Sequence, residues 1–294
     1  MNRPFATGRA ARIDLHAHST ASDGTLTPAE LVRAAAAAGL DVVAITDHDT
    51  SAGWAAATEA LPPGLTLVPG AELSCRWYGV QPAIALHLLA YLFDPDDADL
   101  SAELERVRVD RERRGRRTVE RLRADGVDVD WDEVYAYAAG GTVGRPHIAQ
   151  ALIRAGLVAT TKEAFAPQWL GERYRLPKAD IDVFHAVRLV RRAGGVPVFA
   201  HPRASRRGRT VPDQVIVDLA KIGLAGLEAD HEDHTSRERA DVKALAAELG
   251  LVVTGSSDFH GTHKTVRLGA YTTAPAAYER IVAEARGTVP ITSA

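Results

Sequence analysis

The sequence predicts an α/β fold in which strands and helices alternate around a barrel-like sheet. Seven short apolar runs bounded by polar or turn residues are typical of buried strands, and helical patterns separate most of them. Strands that alternate with helices usually pair in parallel, and seven such units suggest a closed or nearly closed barrel. The predicted strands cover residues 13–17, 42–46, 65–68, 83–91, 196–200, 226–229 and 251–254.

Helical patterns account for much of the remaining chain. Those between the strands cover residues 28–38, 51–60, 181–192, 212–222 and 236–249. Four more follow one another without a convincing strand, at residues 100–123, 131–138, 145–155 and 162–170. The sequence therefore predicts a barrel domain formed by residues 1–96 and 180–294, with a helical subdomain of residues 97–179 inserted into it.

Composition and charge restrict the class of protein. Of the 294 residues, 46% are hydrophobic and 25% are charged, which is typical of a globular α/β protein. The formal net charge of −3 is too small to attract nucleic acid or membrane through the field of the whole molecule. The single cysteine, the absence of an apolar leader and the lack of a long apolar run favour a cytoplasmic protein. We expect no membrane contact and no stable nucleic-acid complex.

Histidine and carboxylate side chains cluster at the ends of the predicted strands. His16 and His18 end the first strand and point to the same side, because strand side chains alternate with a period of two. Asp258 and His260 repeat this spacing after the seventh strand. Parallel barrels build their active sites at the carboxyl ends of their strands. The nine candidate metal ligands are His16, His18, Asp23, His48, Glu72, His87, His201, Asp258 and His260.

This set of side chains indicates phosphoryl chemistry at divalent metals. Imidazole nitrogens and carboxylate oxygens without thiolates suit zinc, manganese, iron or similar ions. Nine ligands are too many for one ion, and a carboxylate such as Glu72 can bridge two, so we expect two or three ions. Three dications facing three carboxylates would leave a charge of about +3, which suits a phosphate ester. The nucleotide-binding and serine-hydrolase motifs GxxxxGK[ST], GxGxxG and GxSxG are missing.

Five further polar residues are candidates for substrate binding. They are Arg145, His147, Arg203, His231 and Lys264. The first two lie near a predicted helix start, where backbone amides and the helix dipole favour an anion. Arg203, like the nearby arginines 206, 207 and 209, follows the strand that carries His201. The arginines at 106–117 instead alternate with acidic residues, so we expect most of them to form a solvated helix face.

Together these motifs resemble the PHP family, the polymerase and histidinol phosphatase superfamily. The resemblance is carried by HAH at 16–18, TDH at 46–48, GAE at 70–72, the lone His87, AHP at 200–202 and SDFH at 257–260. These motifs occur in the family's order and cover nearly the whole chain. The resemblance implies a distorted (β/α)7 barrel and a trinuclear centre at which a metal-bound hydroxide hydrolyses a phosphoric ester.

The resemblance also divides the nine ligands among three ions. The implied sets are His16, His18, Glu72 and Asp258; Glu72, His87 and His201; and Asp23, His48 and His260. The first set is also the group implied to be catalytic. Asp23 stands where some relatives have histidine, a change that keeps a good ligand. We expect Asp47 to lie behind the ligands, because neighbouring strand residues point in opposite directions.

The helical insertion, with GRPHIA at 144–149, resembles a branch of stand-alone PHP phosphoesterases that act on nucleotides. Members of that branch remove the 3′-phosphate from nucleoside 3′,5′-bisphosphates or degrade short RNA from its 5′ end. We therefore expect a small phosphorylated substrate, a nucleotide or short oligonucleotide, that the insertion recognises, and 3′-phosphate removal as the reaction. Two alternatives remain: a 5′-to-3′ exonuclease of short RNA, and a non-catalytic, metal-stabilised PHP module of a larger assembly.

Overall fold

The computed structural model describes residues 10–138 and 140–293, so the first nine residues of the predicted barrel domain and its last residue lie outside the described residues. The strands are β1 Ile13–Asp14, β2 Val42–Ile45, β3 Thr66–Trp77, β4 Ile84–Tyr91, β5 Ile181–Asp182, β6 Val196–Ala200, β7 Gly226–Asp230, β8 Val252–Gly255 and β9 Ile291–Thr292. Their order along the sheet is β1-β2-β3-β4-β6-β7-β8, and β5 and β9 both pair with β3. All seven predicted strands are therefore present.

Backbone contacts between the first and last strands nearly close the sheet. Ala17, which follows β1, forms a parallel bridge with Phe259, which follows β8. The amide of His18 donates a hydrogen bond of 2.9 Å to the carbonyl of Phe259, and the amide of Thr273 donates one of 2.8 Å to the carbonyl of Ile13. The prediction of an α/β, barrel-like fold is confirmed.

One strand runs against the predicted parallel direction. β3 and β4 form a hairpin in which Trp77 pairs with Ile84 and Gly70 pairs with Tyr91, and β4 is also antiparallel to β6. The short connection at 78–83 leaves no room for the helix that a parallel crossover usually contains. The expectation of an all-parallel sheet is therefore wrong at β4. As a result, His87 reaches the site from within this strand rather than from its carboxyl end.

Ten α-helices surround the sheet in the described residues. They are α1 Pro28–Ala37, α2 Trp54–Glu59, α3 Ala98–Ala124, α4 Trp131–Tyr137, α5 Arg145–Arg154, α6 Thr161–Ala164, α7 Val183–Arg192, α8 Asp213–Lys221, α9 Ser236–Glu248 and α10 Pro275–Glu284. Thr27 and Thr235 begin α1 and α9 with capping boxes, in which the threonine hydroxyl and a glutamate three residues later satisfy free backbone amides. The sequence patterns did not predict α10 or β9. In the described ranges, no helix is both long and apolar enough to cross a membrane.

Apart from a cluster in which α1 and α2 pack against β2, two buried clusters hold the barrel together in the described residues. One draws on most strands, includes Leu15, Tyr91 and Val198, and is covered by Tyr278 and Ile281 of α10. The other packs the sheet against α3, α7, α8 and α9. Because both clusters bury apolar side chains along the strands, the polar strand ends are held in fixed positions around the mouth of the barrel.

Helices α3 to α6 follow β4 without an intervening strand, as the sequence predicts. Their apolar residues, which include Trp131 and Leu152, form a separate buried cluster. The last predicted helix, at residues 162–170, is wrong in its length, because α6 ends at Ala164 and an irregular turn follows at Pro167–Gly171. Proline lacks the amide hydrogen that a helix needs and restricts the residue before it, so the helix breaks there.

Candidate metal centre

The nine predicted ligands come together at the mouth of the barrel, around the carboxylate of Glu72. Glu72 lies within β3 and is 1% exposed. Five histidines each place a ring nitrogen within 3.3 Å of one of its oxygens: His16, His18, His48, His87 and His201. The first three face Oε2 and the last two face Oε1. A carboxylate with imidazoles on both oxygens has the geometry to bridge two ions.

Asp258, which follows β8, faces His16 and His18, two of the histidines that also contact Glu72. Its Oδ1 lies 3.4 Å from His16 Nε2 and 3.3 Å from His18 Nε2. Asp258 has a φ of 51° after β8, and His201 has a φ of 34° after β6. Side-chain-bearing residues rarely adopt this left-handed conformation, and such strain is concentrated at functional sites. The turns after these strands therefore hold both ligands in strained backbone positions.

Asp23 brings a third carboxylate to the cluster. Its Oδ1 lies 3.4 Å from His260 Nε2, and its Oδ2 lies 3.8 Å from His48 Nε2. In the described residues the donor atoms form three overlapping groups, in each of which all atoms lie within 4.8 Å of one another. The groups are His16, His18, Glu72 and Asp258; His18, Asp23, His48 and His260; and His48, Glu72 and His87.

These groups agree in part with the sets that the resemblance implies. The first group is the implied first set. The second contains the implied third set together with His18. In the third, His48 stands beside Glu72 and His87, where the resemblance implies His201. His201 Nε2 nevertheless lies 3.1 Å from Glu72 Oε1, on the same side as His87.

The donor set fits divalent metal ions. His48 Nδ1 and Asp258 Oδ1 are buried atoms without a hydrogen-bond partner. The Nε2 atoms of His16 and His18 face each other at 3.1 Å. Buried polar atoms without partners are costly, and cations between these atoms would satisfy all four. The mixture of imidazole and carboxylate without thiolate is the set preferred by zinc, manganese and iron.

Glu228 on β7 positions two of the ligands, and it was not among the predicted site residues. Its fully buried carboxylate accepts hydrogen bonds from His16 Nδ1 at 3.0 Å and from the His201 amide at 2.9 Å. A histidine that donates through Nδ1 leaves Nε2 free to bind an ion. The sequence does contain a signal that could have identified Glu228. It is an acidic residue inside an apolar strand, and a buried carboxylate needs hydrogen-bond partners.

Asp47 lies behind the ligands, as the sequence predicts. Its carboxylate accepts hydrogen bonds from the Ser19 amide, the Ser19 hydroxyl and the Ser22 hydroxyl, at 2.6 to 2.7 Å. These bonds hold the loop that carries Asp23 against β2. We therefore expect Asp47 to act on the shape of the centre rather than to bind an ion.

Burial and mutual contact determine the protonation of the centre. Burial opposes ionisation of Glu72, but the surrounding imidazoles hold the pKa of this carboxyl well below its usual range. Burial lowers the pKa of His201 to about 3, and nearby Arg207 adds to the shift. Burial likewise lowers the pKa of His260 to about 4, with His18 adding to the shift. These two imidazoles are therefore neutral at pH 7, the form that binds metal ions.

Two cations and one imidazole contact the outer oxygen of Asp258. Its Oδ2 lies 2.6 Å from Lys264 Nζ, 2.7 Å from Arg207 Nη2 and 3.2 Å from His231 Nε2. Two of the five predicted substrate residues, Lys264 and His231, therefore lie beside a predicted metal ligand. Arg207 comes from a short 3-10 turn that follows the strand of His201.

Two other predicted substrate residues have different contacts. Arg203 turns away from the centre, because its guanidinium donates to the Val211 carbonyl at 2.6 Å and pairs with Asp213 at the start of α8. Arg203 thus remains a prediction without a contact to the cluster in this structure, whereas Arg207, four residues later, contacts Asp258. His147 Nδ1 accepts a hydrogen bond of 3.0 Å from the Gly144 amide, so this side chain caps the start of α5.

A cavity of about 190 Å³ lies between the insertion and three of the ligands, Asp23, His48 and His87. We call it the inner cavity. Its basic residues are Arg111, Arg114, Arg145, Arg175 and Lys178. Of these, the sequence predicts only Arg145 as a substrate contact. The solvated-face prediction fails at Arg111 and Arg114, whose side chains are only 11% and 15% exposed.

Other arginines of α3 do form the predicted pairs with acidic neighbours along the helix. Arg106 pairs with Glu103, and Arg108 pairs with Glu105. Arg111 differs because its Nε donates a hydrogen bond of 2.7 Å to Asp49, which follows β2. This contact ties α3 to the mouth of the barrel.

Two basic groups of the inner cavity, those of Arg145 and Lys178, are costly to keep charged without an anion. Burial lowers the pKa of Arg145 to about 10, and Arg175 adds to the shift. Burial lowers the pKa of Lys178 to about 8; Asp180 opposes this shift, but the nearby arginines add to it. A bound anion would relieve this repulsion, so the cavity is suited to a negatively charged ligand.

The chain is similar to known phosphoesterases over most of its length. Residues 14–105 match the model of the family described as PHP domain. The chain is 34% identical to a Haemophilus influenzae protein named 5'-3' exoribonuclease, over 88% of this chain and 93% of the relative. It is 32% identical to a Chromobacterium violaceum protein named 3',5'-nucleoside bisphosphate phosphatase, over 85% and 87%.

A solved structure agrees with these relatives. A chain from Bifidobacterium adolescentis, assigned as a metal-dependent phosphoesterase, superposes with a TM-score of 0.87 at 37% identity, over 95% of this chain and 98% of that one. Fold, site and relatives define a phosphoric ester hydrolase with a histidine and carboxylate centre suited to divalent metals. The chain belongs to the PHP family.

Proposed function

We propose that this PHP-family enzyme removes the 3′-phosphate from nucleoside 3′,5′-bisphosphates. The observation that carries the proposal is the inner cavity, in which five cationic side chains face Asp23, His48 and His87. So many positive charges around a small volume suit a ligand with more than one phosphate group. The Chromobacterium violaceum relative, named for this activity, supports the proposal.

We propose that the reaction needs two or three divalent ions, which would be manganese, zinc or iron. All nine predicted ligands would hold them, and His16, His18, Glu72 and Asp258 would form the catalytic group. When bound, such ions supply a water nucleophile at neutral pH and neutralise charge on the phosphoryl group. Glu228 keeps His16 in the tautomer whose Nε2 faces the cluster.

Cations beside the catalytic group contribute to binding of the reacting phosphate. Arg207 and Lys264 both lie within 2.7 Å of Asp258 Oδ2, so either can contact a phosphoryl group bound next to that carboxylate. His231, on the same oxygen, is placed to hold or release a proton there. These residues belong to the barrel and act on the phosphate rather than on the nucleoside.

The insertion, residues 97–179, serves as the substrate-recognition subdomain over the barrel formed by residues 1–96 and 180–294. It supplies the five basic residues of the inner cavity and also an apolar wall that includes Val143, Phe165 and Tyr174. An apolar wall with aromatic rings suits a nucleobase, and the guanidinium groups suit its phosphates. Arg145 lies between the two, with Cζ 5.1 Å from the centre of the Phe165 ring.

The two alternatives differ in their support. Exonuclease action on short RNA needs room for nucleotides beyond the first. A groove between α3 and residues 176–179, which shares Arg114 and Lys178 with the inner cavity, favours it. A non-catalytic PHP module would not need a complete centre. Here histidine or carboxylate occupies all nine ligand positions, which supports an enzyme.

A substrate panel tests the proposed function. The manganese-loaded protein would be assayed with a nucleoside 3′,5′-bisphosphate, histidinol phosphate, an aryl phosphate and short 5′-phosphorylated RNA. We expect the highest kcat/KM for the bisphosphate, with inorganic phosphate released from its 3′ position. A preference for histidinol phosphate, or no turnover of any of the four, would contradict the proposal.

Replacing Arg145 with alanine should weaken nucleotide hydrolysis much more than aryl phosphate hydrolysis. Arg145 lines the inner cavity, and its Nη1 donates a hydrogen bond of 3.1 Å to the Leu170 carbonyl. The remaining guanidinium hydrogens can contact a phosphate in a planar geometry that lysine cannot reproduce, so Arg145→Lys should also be impaired. For the bisphosphate we expect kcat/KM to fall by about 1.5 to 3 kcal/mol, the range for a hydrogen bond to a charged group. Steady-state kinetics with both substrates would measure the contrast.

Arg154→Ala is the matched control, because Arg154 lies on the same helix, is 64% exposed and pairs with Glu133 away from the inner cavity. It should leave both substrates unaffected. An equal fall for both substrates in Arg145→Ala would place Arg145 on the reacting phosphoryl group. No fall in either would remove the local support for a nucleotide.

Lys178 should make substrate capture depend on pH in the alkaline range. Its pKa of about 8 means that it is charged below pH 8 and loses its charge above. The other groups that influence it are Asp180, Arg111, Arg114 and Arg145. We therefore expect kcat/KM for the bisphosphate to decline as pH rises through about 8, since free-enzyme groups govern this parameter.

A pH profile of Lys178→Arg checks the assignment, because arginine stays charged throughout the range. In this variant the decline above pH 8 should shrink. If the profile matched that of the wild type, the decline would belong to another group. If the wild type showed no decline up to pH 9, Lys178 would not contribute charge to binding.

A further inference from the structure

The predicted ligand Asp23 lies on a loop, residues 19–24, that is held between the barrel and the helical insertion. We call it the Asp23 loop. On the side of the insertion, the Thr142 amide donates a hydrogen bond of 2.8 Å to the Ala21 carbonyl. Gly141 lies so close to this loop that a Cβ atom added there would be 2.6 Å from the Ala21 carbonyl oxygen, nearer than the two atoms can pack. The backbone of the insertion therefore lies directly against the Asp23 loop.

Helix α5 of the insertion holds the same loop through the buried side chain of His147. The Nδ1 atom of His147 accepts a hydrogen bond from the Gly144 amide, so the proton of the neutral ring lies on Nε2. The ring also forms a hydrogen bond with the backbone of Ser22, whose carbonyl oxygen is the acceptor for such a proton. One imidazole therefore joins the start of α5 to the residue before Asp23.

Gln150, one turn further along α5, reaches Asp23 through His263. Its Nε2 atom lies 3.0 Å from His263 Nε2, and His263 Nδ1 lies 2.9 Å from the Asp23 carbonyl oxygen. A carbonyl oxygen only accepts, so His263 donates through Nδ1 and accepts from Gln150 through Nε2. His263 also lies three residues after His260, another predicted ligand. A chain of hydrogen bonds therefore connects α5 to the backbone of one ligand and to the turn that follows the other.

The ligands that α5 reaches belong to one of the three groups of donor atoms. This group, which we call the outer group, consists of His18, Asp23, His48 and His260. Asp23 is its single carboxylate, and its oxygens lie 3.4 to 3.8 Å from the three imidazoles. The affinity of a metal site depends on the groups that orient its ligands from behind. Because Asp23 lies on a loop rather than in a strand, its orientation depends on the contacts of that loop.

We propose that His147 and Gln150 are positioning residues for Asp23, so that the insertion completes the outer group of the metal centre as well as recognising the substrate. This inference rests on the proposed metal-dependent function. The ligands around Glu72 are held from within the barrel, by Glu228. Loss of the α5 contacts should therefore weaken the binding of one ion and leave the others in place.

The double variant His147→Ala/Gln150→Ala tests the role of α5 by its metal content. The wild type and the variant would be loaded with manganese, dialysed and analysed for bound metal, and manganese binding would be titrated by electron paramagnetic resonance of the free ion. We expect about one ion fewer per chain and a weakest dissociation constant raised at least about 10-fold, because loss of a partner behind a metal ligand costs about 10- to 100-fold in affinity. Excess manganese should restore both the ion and the rate.

Asp23→Asn shows whether this loss passes through Asp23. It should lose the same ion, and adding it to His147→Ala/Gln150→Ala should cause no further loss, because all three changes act on one ligand. His147→Gln should retain the ion, since its amide can accept from Gly144 and donate to Ser22. Additive losses, wild-type metal binding in the double variant, or loss of the ion in His147→Gln would overturn the inference.

His185→Ala/Gln214→Ala is the matched control. It removes the same two residue types from exposed positions of α7 and α8, away from α5 and the Asp23 loop. This variant should keep the metal content and manganese affinity of the wild type, and an equal loss in both double variants would contradict the inference. Gln150→Ala alone keeps the cap of α5 and serves if His147→Ala/Gln150→Ala does not fold. Normal manganese affinity in Gln150→Ala would then count against the positioning role.

Metal content and substrate turnover separate this inference from the proposed function. If Asp23→Asn and the α5 double variant lose an ion but the wild type hydrolyses none of the four substrates, the proposed function is wrong and the inference stands. If the wild type hydrolyses the bisphosphate while Asp23→Asn binds as many ions with the same affinity, the inference is overturned and the proposed function stands.

Discussion

Replacing Glu72 with glutamine should lower kcat/KM by more than about 100-fold and reduce the bound metal, because loss of even an outer partner of a metal ligand costs about 10- to 100-fold. Glu72 is the centre of the ligand cluster, with imidazole nitrogens within 3.3 Å on both of its oxygens. The amide of glutamine carries no charge and offers one oxygen instead of two, so it cannot bridge two cations. Elemental analysis and steady-state kinetics would measure both losses.

Thermal unfolding separates this effect from a general loss of structure. Ions that bind only the folded state stabilise it, by about 2.7 kcal/mol at a concentration 100 times the dissociation constant. The wild type should therefore gain Tm when manganese is added, and Glu72→Gln should gain much less. Glu59→Gln, at an exposed position in α2, is the control and should behave like the wild type. Normal turnover with full metal content in Glu72→Gln would disprove the bridging role.

Removing the metal should abolish hydrolysis, and the purified protein should contain more than one divalent ion per chain. The physical reason is that the chain's own groups at the centre are carboxylates and imidazoles, which bind ions but are not themselves placed as a nucleophile for phosphorus. Dialysis against a chelator, followed by elemental analysis and activity measurement, would test both statements. Adding manganese, zinc or ferrous iron back one at a time would then rank the ions by recovered rate.

For the manganese-loaded protein, chelator saturated with manganese is the control for direct effects of the chelator on the protein, because it has no capacity left to remove that ion. It should leave activity unchanged. Full activity in free chelator, with no transition metal found by elemental analysis, would contradict the metal-dependent mechanism. A single ion per chain with full activity would contradict only the multinuclear centre.

We propose that the barrel binds the metal ions and that the helical insertion recognises the substrate. The barrel supplies all nine proposed ligands, and Glu228 and Asp47 hold several of them from behind. The insertion supplies all the basic residues of the inner cavity. Changes in the barrel should therefore alter the rate for every substrate, whereas changes in these basic residues should alter the choice among substrates.

The sequence by itself predicted the strands, the inserted helices and the nine proposed ligands. Strand and helix patterns repeat over a few residues, so they can be recognised locally, and His16 with His18 or Asp258 with His260 shows the period of two directly. The order of the motifs also indicated the family. The known site of that family brings together residues that are far apart in the chain. Arg145 was also predicted from a local feature, the start of a helix.

Only the tertiary structure decided the properties that depend on distant pairing. The direction of β4 follows from its short connection to β3 and its pairing with β6, which no local pattern encodes. Arg111 and Arg114 repeat the pattern of a solvated helix face, yet they face the inner cavity because α3 packs across the barrel mouth. Arg203 and Arg207 are four residues apart, but only the backbone turn after β6 determines that Arg207 reaches Asp258. Side-chain direction at such places is set by packing between segments far apart in the chain, and local periodicity has no information about it.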